Sequence, residues 1–190
     1  MKTWQHLKTI TKHRWLVLKG CFRVGLYGQG LTHDLSKYSP TEFWIGAKYY
    51  QGTRSPNAAE REDKGYSEAW MHHKGRNRHH YEYWTDMNPA SKRYEPIPMP
   101  RRYLVEMVMD RRAACMTYQG KNYRDDSALN YFQKSREREL MHPQTCRELG
   151  LAGELTETFG GSDQNPLSQH GLQGLVLSNG MYKMHTTEEY

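Results

Sequence analysis

Aliphatic side chains are scarce in this sequence, since Leu, Ile, Val and Phe together supply only 28 of the 190 residues. Taken alone, so low a share is typical of disordered chains. The 14 Tyr, 10 Met and 5 Trp residues provide apolar surface instead. We therefore expect a folded body with an aromatic, Met-rich core, in a chain long enough for one domain.

Long apolar runs are missing as well. No segment approaches the roughly 20 apolar residues that a membrane-spanning helix needs, and the first residues contain no apolar stretch of the kind found in secretory signals. Cys21, Cys115 and Cys146 follow no pairing or Cys-x-x-Cys spacing, which is typical of a reducing compartment. These absences favour a cytoplasmic protein without a membrane partner.

Acidic residues are outnumbered by basic ones, which gives a formal net charge of +6 and a pI near 9.2. A positive balance favours anionic partners, either a phosphorylated small molecule or a nucleic acid. Many basic soluble proteins have neither partner, so the charge alone leaves both open. The sequence indicates no oligomeric state.

Strand patterns and internal repeats are also absent, and apolar residues recur at helical spacing, which predicts an all-α fold. Residues 2–25 have one apolar face that includes His13, and Gly25, Gly28 and Gly30 should end this helix. The other residues of that face are Leu7, Ile10, Val17, Cys21 and Val24.

Later helices are marked by their cap residues. Ser39 and Glu42 have the spacing of a capping box, which predicts a helix start. Trp15, Trp44 and Trp70 lie in predicted helices, so we expect them to pack in the core. The later predicted helices are 40–50, a segment that follows the charged stretch 60–64 and ends at Gly75, 100–119, 127–141 and 143–155, with loops over 51–57 and 88–100.

Gly, Ser, Gln and Asn dominate the end of the chain, where no helical period survives. Such a composition predicts a low-complexity, weakly ordered tail over residues 158–190. The helical domain is accordingly expected over residues 1–157.

Histidines and carboxylates are concentrated around the pair His33-Asp34. Two His-His doublets follow at 72–73 and 79–80, while His13 and Asp110 lie on inward faces of predicted helices. A helical bundle can bring such side chains together at its centre. Imidazole nitrogens and carboxylate oxygens suit a divalent transition metal (Fe, Mn, Co, Ni or Zn). We therefore predict a site for one or two ions, which would activate a water for attack on phosphorus.

The order of these residues resembles that of the HD-domain superfamily of metal-dependent phosphohydrolases. Its His-Asp-x-x-Lys signature is similar to the segment from His33 to Lys37. The resemblance implies an HD-domain-like helical bundle in which Asp34 and Lys37 are catalytic and Lys37 binds a substrate phosphate. It implies these ligands: His13, His33, Asp34 and Asp110 for a first ion, and His73 with His79 or His80 for a second.

The activity implied by this resemblance is the hydrolysis of a nucleotide or another phosphate ester. Two-iron members of the superfamily include oxygenases, so a di-iron oxygenase is an alternative. A different alternative is a nucleic-acid-associated binding protein in which the histidines only support the fold.

Residues 1–150 also resemble an uncharacterised family from bacteria and their phages. Its shared motifs are similar to the segments 33–43, 70–80 and 106–110 of this chain. This second resemblance implies no reaction. The tail differs from the helical end that is usual in that family.

Several of these residues have simpler explanations. Lys74, Arg76 and Arg78 fit either a phosphate clamp or a solvated basic turn. Asn77, between the two doublets, fits a His-Asn-His nuclease motif, but the spacing is too tight for its ββα hairpin. A histidine such as His13 is often a hydrogen-bonded core residue when it occurs alone.

Overall fold

The structure, a computed structural model, describes residues 2–135, 140–149, 175–178 and 181–184. Helices dominate this part of the chain, which confirms the all-α prediction. The helices are α1 Lys2–Arg23, α2 Tyr27–Thr32, α3 Pro40–Lys48, α4 Pro56–Lys64, α5 Glu68–Lys74, α6 Arg101–Gln119, α7 Ser127–Ser135 and α8 143–149. Short 3-10 helices cover Leu35–Tyr38, Tyr81–Tyr83 and Gly120–Asn122. The strands are β1 Thr85–Met87, β2 Tyr94–Pro96, β3 Leu175–Ser178 and β4 Met181–Met184.

Helices α1 and α6 pack against each other at the centre of the fold, and α2 and α3 also pack on α1. The buried face of α1 repeats at helical spacing and consists of His6, Ile10, His13, Val17 and Cys21. Val17, Cys21 and Leu26 form a cluster with Ala113 of α6. The inward face predicted for α1 is therefore correct at Ile10, His13, Val17 and Cys21, and His6 extends it.

The larger apolar cluster lies between α6, α7 and α8. It is rich in Met, as the composition predicts: Met99, Leu104, Met107, Val108, Leu129, Phe132, Met141 and Leu149. Tyr81 and Trp84 pack against this cluster from outside. Aromatic and thioether side chains therefore take the place of the missing aliphatic ones.

Two glycines allow α2 and α3 to approach α1 closely. A Cβ at Gly30 would lie 2.9 Å from the Cys21 Cβ, and a Cβ at Gly46 would lie 2.5 Å from Nε2 of His6. The first contact seats α2 on α1, which places the following His33-Asp34 pair beside His13. Gly30 was predicted to interrupt the chain, but it serves helix packing inside α2.

Several boundaries differ from the prediction. Helix α4 begins at Pro56, inside a predicted loop, because Pro is well suited to the first helical position. The predicted loop over 88–100 contains β2, which pairs antiparallel with β1. Helix α7 ends at Ser135, and Leu140 is not helical, so the segment 127–141 is not one helix.

The core positions predicted for two tryptophans are wrong. Trp15 is 53% exposed and Trp44 is 63% exposed. Trp15 lies two residues from both His13 and Val17, and a helix turns by about 100° per residue, so its side chain points away from the buried face. Trp70 is half-buried against the rings of His73 and His80.

The predicted tail 158–190 lies outside the described residues except for β3 and β4, which pair antiparallel with Leu175 opposite Met184. The division into a domain over 1–157 and a tail stays a prediction. In the part of the chain that the structure describes, no helix is both long and apolar enough to cross a bilayer.

Candidate metal centre

Asp34 lies at the turn between α2 and the 3-10 helix Leu35–Tyr38. Its φ of 54° is in the left-handed region, which Asp tolerates better than most residues. Arg14 of α1 holds this turn by donating hydrogen bonds to the carbonyl oxygens of His33, at 2.7 Å, and Leu31, at 3.0 Å. The Asp34 carboxylate is thereby fixed inside the protein, with a side chain only 1% exposed.

One oxygen of Asp34 faces ligands from α1 and α6. Asp34 Oδ2 lies 3.5 Å from Nε2 of His13 and 3.3 Å from Nε2 of His33. Asp110 Oδ1 lies 2.9 Å from Nε2 of His13 and 3.4 Å from Nε2 of His33. One ligand atom from each of these four residues falls within 4.8 Å of the others. We call His13, His33, Asp34 and Asp110 the first group.

The other oxygen of Asp34 faces the two His doublets. Asp34 Oδ1 lies 3.3 Å from Nε2 of His73, on α5, and 3.3 Å from Nε2 of His79, in the turn that follows. His80 also has a ring nitrogen within 4.8 Å of these ligand atoms. We call Asp34, His73, His79 and His80 the second group. The two groups share Asp34, as a bridging carboxylate would.

Many of these ligand atoms are buried without a hydrogen bond. Nε2 of His80 has no hydrogen-bond partner among the described residues. Nε2 of His13, His33 and His79 and both oxygens of Asp34 make no well-directed hydrogen bond there either, and lie instead at ion-pair distance from one another, from Asp110 or from Lys37. Buried polar atoms are nearly always hydrogen-bonded, because leaving them unpaired costs free energy. A cation in each group would bind nitrogens and oxygens that converge there from several elements of the fold, so these donor sets fit divalent transition metals.

Two buried glutamates hold the outer sides of the imidazoles. Glu106 Oε1 lies 2.9 Å from Nδ1 of His33 and 3.2 Å from Nδ1 of His79. Gln29 donates a 2.7 Å hydrogen bond to the other oxygen of Glu106. Since an ionised carboxylate only accepts, both Nδ1 atoms are donors and both Nε2 atoms are left free to bind a cation.

Glu42 holds the imidazoles of the first His doublet, His72 and His73, in the same way. Its two oxygens lie 2.7 Å from Nδ1 of His72 and 2.7 Å from Nδ1 of His73. His73 therefore belongs to the second group, whereas His72 contacts the orienting carboxylate. The predicted capping box is only half correct: Ser39 Oγ accepts from the Glu42 amide at 3.4 Å, but the Glu42 carboxylate faces the histidines.

His33, His79 and Glu106 also come within metal-ligand distance of one another. Glu106 faces Nδ1 of both histidines, whereas their Nε2 atoms are directed at Asp34. An orienting role for Glu106 explains both sides of the two rings. We therefore place Glu106 outside the two groups.

The acids of the site have lowered pKa values. Burial would raise the pKa of Asp34, but the positive charges of His33, Lys37 and His73 outweigh burial and hold this pKa well below its usual range. Glu106 follows the same pattern: its contacts with His33 and His79 overcome burial and lower its pKa to about 2. Both carboxylates are therefore ionised at neutral pH.

The imidazoles divide into two kinds. Burial would lower the pKa of His33, but the nearby carboxylates of Asp34, Asp110 and Glu106 raise it well above 6.5. The pKa values of His73 and His79 are raised for the same reason. Burial lowers the pKa of His80 well below 6.5, which makes it a neutral imidazole and a ready ligand.

Lys37 lies at the edge of the first group. Its Nζ is 2.5 Å from Asp34 Oδ2, and its side chain is 28% exposed, whereas that of Asp34 is buried. Burial would lower the pKa of Lys37, but the charges of Asp34 and Asp110 raise it above its usual range. Lys37, which was predicted to bind a substrate phosphate, is therefore a cation at neutral pH and lies between the ligand groups and the protein surface.

The other predicted phosphate contacts lie on an outer turn. Arg76 donates to the His72 carbonyl oxygen at 3.2 Å, and Arg78 donates to the Tyr103 hydroxyl at 3.2 Å. Lys74 is the last residue of α5. Among the described contacts of these three cations, none reaches the two ligand groups, so the turn matches a solvated basic surface better than a phosphate clamp.

Asn77 supports the turn between the doublets. Its amide donates to the Ser36 Oγ at 2.9 Å and to the His73 carbonyl oxygen at 2.8 Å. The surrounding segment is a helix, a turn and a 3-10 helix. A His-Asn-His nuclease motif would need a ββα hairpin there, which this segment does not form.

The structure brings together all seven predicted ligands: His13, His33, Asp34, His73, His79, His80 and Asp110. The orienting roles of Glu42 and Glu106 were missed. Glu106 lies four residues before Asp110, and residues four apart share a helix face, so that spacing was a usable signal. Glu42 gave no comparable signal, because a capping box already accounted for it.

The family match spans the residues that build this site. The model of "Family of unknown function (DUF5662)" matches residues 2–152, which include both ligand groups and both orienting glutamates. The chain belongs to this family. No curated protein and no solved structure matches the chain, and none of the comparisons links it to the HD-domain superfamily.

Proposed function

We propose that the protein is a metal-dependent phosphohydrolase with two divalent ions, one on each side of Asp34. The observation that carries this proposal is the direction of the two Asp34 oxygens. Oδ2 faces the imidazoles of His13 and His33, and Oδ1 faces those of His73 and His79. A single ion would use only one of these two sets of imidazoles, so two ions fit better than one.

Divalent ions in these groups would lower the pKa of a bound water and polarise a phosphoryl oxygen, the two effects that hydrolysis of a phosphate ester needs. The chain's own contribution is to hold the ligands in place. Glu42 and Glu106 fix the rings of His73, His33 and His79 by accepting from their Nδ1 atoms. Such outer contacts set ring orientation and raise the basicity of the ligands.

Lys37 is the residue best placed to bind the substrate phosphate. Its ammonium and a divalent ion would both be attracted to Asp34 Oδ2, so ion binding would weaken the ion pair between Lys37 and Asp34. The ammonium would then be available to a phosphate oxygen. This role is consistent with the resemblance of the segment 33–37 to the His-Asp-x-x-Lys signature.

A nucleotide or another phosphate ester is the substrate class that we favour. The net charge of +6 attracts anionic molecules, and Lys37 offers a fixed cation at the edge of the ligand groups. The HD-domain resemblance implies the same substrates.

The test is metal content combined with hydrolysis. Purified protein should bind close to two Mn, Fe, Co, Ni or Zn ions per chain by elemental analysis, and the loaded protein should hydrolyse members of a panel of nucleotides and phosphate monoesters. Asp34→Asn should lose both ions and the activity. Asp125→Asn is the matched control, since Asp125 is a half-exposed carboxylate outside both groups.

Circular dichroism should show that both variants remain helical. A wild-type protein that takes up no ion after dialysis against each metal would overturn the proposal. Loss of ions in Asp125→Asn equal to the loss in Asp34→Asn would show that the ions bind elsewhere.

A di-iron oxygenase is the second candidate, because each group combines imidazoles with a carboxylate, the ligand types of non-haem iron in oxygenases. Three imidazoles with one shared carboxylate suit iron as well as zinc. Iron-loaded protein would then consume oxygen with a turnover that zinc-loaded protein lacks. The alternative of purely structural histidines is disfavoured, because structural histidines need no common centre, whereas the imidazoles of both groups converge on the oxygens of Asp34.

A further inference from the structure

Helix α1 combines basic residues with exposed aromatic side chains. Its charged residues are all basic: Lys2, Lys8, Lys12, Arg14, Lys19 and Arg23. Three large aromatic side chains of the same helix are exposed, namely Trp4 at 61%, Trp15 at 53% and Phe22 at 41%. We call Trp4, Lys8, Lys12, Trp15, Lys19 and Phe22 the Trp–Lys face.

Helical geometry places these six residues on one side of α1. Trp4, Trp15 and Phe22 are separated by 11 and 7 residues in the sequence, which are close to three and two full turns of an α-helix. The lysines lie within about a quarter turn of the aromatic residues. His13 and Val17 point to the opposite side, toward the core, so the Trp–Lys face is separate from the candidate metal centre.

Lysines lie between the aromatic rings along this face, and two of them contact a ring. Lys19 Nζ lies 3.4 Å from the centre of the Trp15 ring, and Lys8 Nζ lies 5.3 Å from that of Trp4. These cation–π contacts keep positive charge beside both indole rings. Since α1 contains no acidic residue, no carboxylate of its own helix neutralises that charge.

A cleft continues the positive charge toward α6. It encloses about 170 Å³ and is lined by Lys19, Arg23 and Arg112 around an apolar floor that includes Leu16 and Met109. Arg112 is held by Asp125, with Nη2 3.4 Å from Oδ1, so Lys19 and Arg23 supply the net charge. Lys19 thus faces both Trp15 and the cleft.

We propose that the Trp–Lys face binds single-stranded nucleic acid. Unpaired bases stack on exposed aromatic rings, and the phosphates between them pair with cations, so aromatic rings with lysines between them match this ligand. An anionic membrane is the competing partner. A helix that inserts into a membrane presents a continuous apolar stripe, whereas here lysines separate the aromatic side chains, which favours nucleic acid.

The test uses the full-length protein and fluorescently labelled 20-nucleotide single strands of DNA and RNA, with binding followed by anisotropy. Trp15→Ala should weaken binding at least about fivefold, the lower end of the effect for one stacked base. Lys8→Gln/Lys12→Gln/Lys19→Gln should reduce the slope of log affinity against log salt by about 2, because each phosphate contact contributes about 0.7 for single strands.

The matched control is Arg93→Gln/Arg101→Gln/Lys121→Gln, which removes the same charge from exposed residues outside α1. It should retain the wild-type salt slope. The metal content of both triple variants should equal that of the wild type, which separates this proposal from the proposed hydrolysis.

Three results would overturn the proposal. The first is no binding of either strand at low salt. The second is an equal loss of salt slope in the control variant, which would indicate a diffuse effect of net charge. The third is binding to phosphatidylglycerol–phosphatidylcholine vesicles, lost in Trp15→Ala, without binding to either strand, which would assign the face to a membrane surface.

Discussion

The two ligand groups share Asp34 but are assembled in different ways. The first group takes His13 from α1 and Asp110 from α6, so it depends on the packing of two helices distant in sequence. The second group takes its three histidines from the segment 73–80, where Asn77 holds the turn. One group is therefore a product of the tertiary fold, and the other is largely a local structure docked against Asp34.

The groups also differ in charge. The first has a second carboxylate, Asp110, in addition to Asp34, whereas the second adds three imidazoles to the shared carboxylate. Carboxylates favour harder ions such as Mn, and imidazoles suit Zn, Fe and Ni. The difference indicates that the two ions would bind with unequal affinity and could be of different elements.

Removing one unshared ligand gives the sharpest test of this comparison. Asp110→Asn should reduce the metal content from about two ions to about one, because it removes a charged ligand of the first group alone. His73→Asn should also leave about one ion, this time in the first group. Elemental analysis gives the count, and X-ray absorption spectroscopy should detect more imidazole ligands in Asp110→Asn than in His73→Asn. If each variant lost both ions, the two groups would form one cooperative site.

The two orienting glutamates should differ in the number of ions whose binding they support. Glu42 contacts a ligand of the second group only, whereas Glu106 contacts His33 of the first and His79 of the second. Loss of such a contact typically costs about 10- to 100-fold in metal affinity. Glu106→Gln should therefore weaken the binding of both ions, whereas Glu42→Gln should weaken the binding of one. Competition with a fluorescent chelator measures these affinities. Equal effects on both ions in both variants would contradict this assignment.

Acid should release the second ion before the first. His73 and His79 have raised pKa values, so the second group must lose protons at both residues to bind an ion. The first group contains one such residue, His33, besides two carboxylates whose pKa values are lowered. Metal titrations between pH 8 and pH 6 should show a steeper loss of affinity for the second ion. The opposite order would contradict the imidazole assignment.

The stability of the metal-free protein should depend on pH in the reverse sense, decreasing as the pH rises. A raised pKa in the folded state stabilises the fold below the unfolded value of 6.5, and that contribution is lost as the pH rises through the folded pKa. The lowered carboxylate pKa values add a contribution that is constant above about pH 5. Thermal unfolding of chelator-treated protein should therefore show a lower Tm at pH 8.5 than at pH 6.5, and added metal should remove this decrease.

Replacement of Lys37 should have the smallest effect on metal affinity, and should raise this affinity where the other variants lower it. Lys37→Gln removes the cation that competes for Asp34 Oδ2, so the first ion should bind a few-fold more tightly. Phosphate-ester hydrolysis should nevertheless fall, because the phosphate loses its fixed cation. Calorimetric titration with the metal, set beside the hydrolysis rate, separates the two effects. Weaker metal binding would show that Lys37 supports the ligands instead.

Much of the fold could be predicted because helix signals are local. The buried face of α1 follows from its apolar spacing, and the boundary between α6 and Gly120 follows from glycine at a helix end. Helix α2 was missed, because three glycines indicate a break unless their neighbours are known. Glycine is needed at position 30, inside α2, because a side chain there would collide with Cys21.

The types of the candidate ligands and their places along the chain were determined by the sequence itself. The pair His33-Asp34, the two doublets, and the inward faces of His13 and Asp110 follow from residue identity and helical period. Two features were decided by tertiary structure alone: the choice of His73 over His72, and the turn of the Glu42 carboxylate toward both. Each depends on which helix packs against which, and residue spacing within one helix carries no information about its neighbours.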